Sequence, residues 1–85
     1  MNDPMASLRA RFVDRLRDDL AELRSGAPAR PLVHRMAGTA GMLGFVELGR
    51  LAAVVDAQLA EGDPAEPADW DALLTAMDEL TQKPA

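Results

Sequence analysis

Apolar residues recur every three or four positions along this chain, in four blocks separated by glycine and proline, and no β-branched run alternates with polar residues as a strand would. The first block, about residues 4–24, carries Met5, Leu8, Phe12, Leu16, Leu20 and Leu23. Asp3 ahead of Pro4 reads as an N-cap with proline in the first turn, and Ser25-Gly26 as a stop. The second, about 29–43, tolerates Pro28 and Pro31 because they stand at its start, and Gly44 ends it. The third, about 46–61, places Leu48, Leu51, Ala52, Val55 and Leu59 on one face and stops at Gly62-Asp63-Pro64. The fourth, about 68–82, turns Trp70, Leu73, Leu74, Met77 and Leu80 inward behind a capping Asp69, and residues 83–85 are expected to fray. Four amphipathic helices on short connections predict an all-α, antiparallel up-down-up-down four-helix bundle, with residues 1–85 forming a single domain without repeats.

Composition narrows the function. A hydrophobic fraction of 48% supplies one core, and with only Phe12, Phe45 and Trp70 as aromatics that core must be aliphatic. The absence of cysteine excludes disulfides and thiolate metal sites, and a single histidine makes a zinc site improbable, so no metal site is expected. No apolar run has the length of a membrane span, and the start lacks the apolar core of a signal peptide, so a cytoplasmic protein is expected. A net charge of −5 argues against nucleic acid as a partner. The charge is unevenly placed: residues 1–50 hold eight arginines against six acids, a balance of +2, and residues 51–85 hold one lysine against eight acids, a balance of −7.

The arginine-bearing half contains the one histidine, His34. On a helical wheel Leu32, Val33, Met36, Ala37, Ala40 and Leu43 form one stripe, and His34 falls well over 100° from its centre, facing water. Its helical neighbours at i+3, i+4 and i+7 are Ala37, Gly38 and Gly41. Each interior glycine costs a helix on the order of 1 kcal/mol relative to alanine. Either close packing requires these glycines, or a docking partner needs empty space to reach the histidine. Arg30 and Arg35 are candidates to offset negative charge brought to His34, and Met42, about 80° from it, is a candidate apolar contact.

The run Leu32-Val33-His34-Arg35-Met36-Ala37-Gly38-Thr39-Ala40-Gly41-Met42-Leu43-Gly44-Phe45 resembles the signature of histidine-containing phosphotransfer (HPt) domains of bacterial phosphorelays. That pattern has a phospho-accepting histidine, an apolar residue two on, usually a lysine three on, a glycine four on, and a further glycine closing the helix. His34, Met36, Gly38 and Gly44 match it, as does the following Phe45, Leu48 and Leu51 series; the resemblance covers roughly residues 30–60. The lysine position is Ala37 here, one helical turn from the histidine, with Arg30 and Arg35 as partial substitutes.

The resemblance implies a phosphorelay intermediate that carries a phosphoryl group on His34 between aspartates of receiver domains, fed by a hybrid histidine kinase. It implies no cofactor of the chain's own, Mg²⁺ being carried by the receiver. A monomer is expected, since no second apolar face is evident. The alternative is a degenerate module that binds or sequesters a receiver without transferring phosphate. A self-sufficient enzyme is disfavoured: no phosphate-binding glycine loop is present, and Asp14, Asp18, Glu22 and Asp56 read as solvated surface.

Overall fold

A computed structural model describes residues 3–82. Within them lie α1 (Pro4–Arg24), α2 (Ala29–Thr39), a single 3₁₀ turn (Gly41–Leu43), α3 (Val46–Ala60) and α4 (Pro67–Gln82). No strand occurs among the described residues, and the chain is a four-helix bundle. The tail expected to fray, residues 83–85, lies outside the described residues.

The punctuation acts as the sequence reads. The Asp3 carboxylate accepts from the Met5 N–H at 3.0 Å, capping α1. Gly26, Gly44 and Gly62 each take a left-handed φ, near 90°, at the end of a helix or turn. Cross-links fix the antiparallel order. Arg17 Nε donates to the Thr81 carbonyl and Arg24 pairs with Asp78, so α4 runs opposite to α1.

Two boundaries differ from expectation. The second helix stops at Thr39 rather than near 43, and the chain tightens into 3₁₀ geometry, with Leu43 N–H bonding to Ala40 C=O and Gly44 N–H to Gly41 C=O. Tightening lets the Phe45 N–H return to the Ala40 carbonyl and brings the Phe45 ring onto Phe12, centroids 5.3 Å apart. Asp69 is not a cap, because α4 starts two residues earlier and Asp69 accepts from Gln58 instead. The same Gln58 accepts the Glu66 N–H through its carbonyl oxygen, so one amide ties the start of α4 to α3.

Leu16, Met36, Leu73, Met77, Val33 and Val55 are the largest fully enclosed side chains, and every helix contributes to this core. Leu51, expected inward, is only half-buried. The close helix pairs are α2 with α3, α3 with α4, and α1 with α4, whereas α1 stands off from α2. Two polar links span that gap. Arg35 Nη2 on α2 donates to both carboxylate oxygens of Asp19 on α1, each at 2.9 Å, and Arg9 Nε donates to the Leu43 carbonyl of the 3₁₀ turn at 2.7 Å.

Candidate functional site

The site is built on the α2–α3 hairpin. The backbones approach most closely where Gly49 faces the start of the 3₁₀ turn: a Cβ on Gly49 would stand 3.2 Å from the Gly41 nitrogen. Glycine at 49 therefore sets the separation of the two helices. Six residues before Ala40 on α2 and seven after Gly49 on α3, about two turns in each direction, His34 and Asp56 lie side by side.

His34 Nδ1 and Asp56 Oδ2 are 3.0 Å apart. The imidazole is exposed, with 76% of its side-chain surface open, and the carboxylate is 21% open. A carboxylate can only accept, so the ring proton of a neutral imidazole in this bond sits on Nδ1. Nε2 is left with its lone pair pointing outward. The other oxygen, Asp56 Oδ1, is buried without a hydrogen-bond partner. Asp56 is thus engaged by His34 across the hairpin and is not the solvated surface acid that the sequence suggests. A signal existed: Gly49, Ala52 and Asp56 form an i, i+3, i+7 ridge beside the apolar stripe of α3, and a hairpin register would have placed that ridge against α2.

The other sequence-derived candidates are spread around this pair. Gly38 is exposed, and a Cβ built there meets nothing within 4 Å; Ala37 is half-buried on the flank toward the core. Gly41 is not at i+7 of a continuous helix, because α2 has already ended. A Cβ on Gly41 would also find open space, although its backbone is the surface on which Gly49 packs. Met42 stands on the 3₁₀ turn with 80% of its surface exposed. Arg30 is exposed in the first turn of α2. Arg35 is engaged elsewhere: its guanidinium is held by the buried Asp19, on the flank of α2 opposite Asp56.

The HPt domain family model matches residues 7–83, nearly the whole chain. The protein belongs to the Hpt domain family, the histidine-containing phosphotransfer modules of phosphorelays, which carry phosphate without being catalysts in their own right. Comparison with curated proteins and comparison with solved structures each gave no match. No helix among the described residues is long and apolar enough to cross a membrane.

Proposed function

We propose that His34 is the phosphoryl carrier of this module, that Nε2 is the reacting atom, and that phosphate moves between it and aspartates of receiver domains. The observation that carries this reading is the exposed imidazole whose Nδ1 is engaged by Asp56. In the forward step the Nε2 lone pair attacks the phosphorus of a receiver's acyl phosphate. The P–O bond to the receiver aspartate breaks, and that carboxylate leaves. The ring, still protonated at Nδ1, becomes cationic, and the Asp56 carboxylate 3.0 Å away meets the new charge. The reverse step uses the same contacts.

Phosphoryl transfer asks mainly for positioning and charge stabilisation. Mg²⁺ and most of that stabilisation are assigned to the receiver. Gly38 is the clearance over which the receiver approaches, extended by Ala37 and Gly41, with Met42 as an apolar contact and Arg30 as a cation that forms no ion pair among the described residues. A hybrid histidine kinase is the expected source of phosphate, and the module is expected to work as a cytoplasmic monomer.

A second reading has one observation in its favour. Ala37 occupies the lysine position, and the Arg35 charge is already spent on Asp19. A chain with this deficit would dock a receiver without transferring. Incubation with a panel of phosphorylated receivers and Mg²⁺, wild type against His34→Gln, separates the two. Acid-labile, alkali-stable phosphate on the wild type alone is expected. Receiver binding with no label on either protein would refute the carrier reading in favour of the docking module.

A further inference from the structure

The gap between α1 and α2 is not filled. A cavity of about 310 Å³ opens there, floored by Phe12, Met36 and Leu43 and edged by Leu8, with Arg11 and Arg15 above it. That volume is at the small end of ligand sites. Leu8 keeps 47% of its surface exposed, so the apolar lining continues to the mouth.

Of the polar groups that line the cavity, Arg35 and Asp19 bond to each other, and the others have no partner among the described residues. Arg11 and Arg15 are one helical turn apart on α1, and neither forms an ion pair among the described residues. Asp14, placed to reach Arg11, is bonded to Arg17. Two like charges at i,i+4 repel, and an anion held between them relieves that repulsion. Thr39 also lines the cavity, and its hydroxyl makes no hydrogen bond among the described residues, whereas Thr81 bonds back to the Met77 carbonyl. An apolar floor, two free guanidiniums and a free hydroxyl converge on one small volume.

We infer that this cavity binds a small monocarboxylate with a compact apolar body, its ring or branched chain on Phe12 and Leu43 and its carboxylate between Arg11 and Arg15. A charge-assisted bond from a guanidinium to each oxygen supplies orientation. The site lies on the flank of α2 opposite Asp56, so occupancy leaves the His34–Asp56 pair untouched. It does not depend on His34 carrying phosphate.

The test is titration of the full chain at low salt with 1-naphthoate and with its neutral isostere 1-naphthamide, read by NMR on the methyl groups of Leu8, Met36 and Leu43. Saturable shifts confined to those methyls are expected, with a naphthoate Kd on the order of 1 mM and naphthamide at least about tenfold weaker. Arg11→Gln combined with Arg15→Gln, both exposed helix positions, should weaken naphthoate about tenfold and leave naphthamide unchanged, with an unaltered Tm showing that the fold is intact. Equal binding of the two probes, insensitivity to the arginine pair, shifts centred elsewhere, or no saturable shift at several millimolar would each overturn the assignment.

Discussion

Replacing Asp56 with alanine should make the protein no less stable and a poorer phosphate acceptor. Three terms set the stability change. Removing the carboxylate relieves the buried Oδ1, which has no protein partner among the described residues; with the carboxylate 21% open to water, the gain is about 0.5–1.5 kcal/mol. Alanine is the better helix former in the middle of α3, adding roughly half a kcal/mol. Against these stands the lost bond to His34, whose side chain is 76% exposed and can turn to water, so that it is worth at most about 1 kcal/mol. The sum lies between neutrality and about 2 kcal/mol of stabilisation. For a chain of this length, that is a Tm rise of up to roughly 10 °C, measurable by calorimetry.

Transfer should move the other way. Without Asp56 the ring proton is free to occupy either nitrogen, and the cation formed during attack loses its counter-charge, so phosphate acceptance should fall about tenfold. Nitrogen NMR of the imidazole gives an independent readout, with the Nδ1–H form dominant in wild type and reduced in Asp56→Ala. Destabilisation by more than about 1 kcal/mol, with the tautomer ratio unchanged, would show Asp56 to be a structural partner and refute the reasoning.

Gly38→Leu should retain the fold and gain up to about 1 kcal/mol, less near the helix end, because the added side chain meets nothing in this chain; receiver-dependent labelling should nevertheless collapse, and normal labelling would sink the clearance argument. Asp19→Ala should cost about 1–3 kcal/mol in denaturant melts, since it removes both bonds to Arg35, while the 40% exposure of Arg35 lets water recover part of the loss. The hydrogen bond from Arg50 holds the Glu47 carboxyl below its usual 4.5. Because the folded value is depressed, the small contribution of this pair is complete above 4.5 and fades as pH falls through the lower folded value. Wild type and Glu47→Gln should therefore differ in Tm at pH 6 and converge in strong acid.

The elements and the candidate histidine were legible because both are written locally. Spacing of apolar residues, caps and terminal glycines depend on neighbours within a turn or two, and so does the motif around His34. What escaped was written across elements. Asp56 is 22 residues from His34, and only the Gly49–Gly41 approach fixes which acid of α3 meets the ring. The same is true of Arg35. On a wheel it flanks His34, and only the position of Asp19 on another helix decides that its charge faces away. The early end of α2 had a local cue, two glycines within four positions, but the tightened turn answers to Phe45 packing on Phe12 from α1.

Both members of the His34–Asp56 pair belong to one helical hairpin, and α1 reaches that hairpin mainly through side chains. Contacts between α2 and α3 are near in sequence and form early, whereas docking of α1 on α4 joins the two ends of the chain and carries the larger loop-closure cost. The native protein should therefore open first along the α1 seam, with amide protons of α1 exchanging through excursions that those of the central hairpin do not share. Such excursions dissolve the Arg11–Arg15 cavity while the imidazole keeps its carboxylate. The nitrogen proposed to carry phosphate rides on the part of the fold that gives way last.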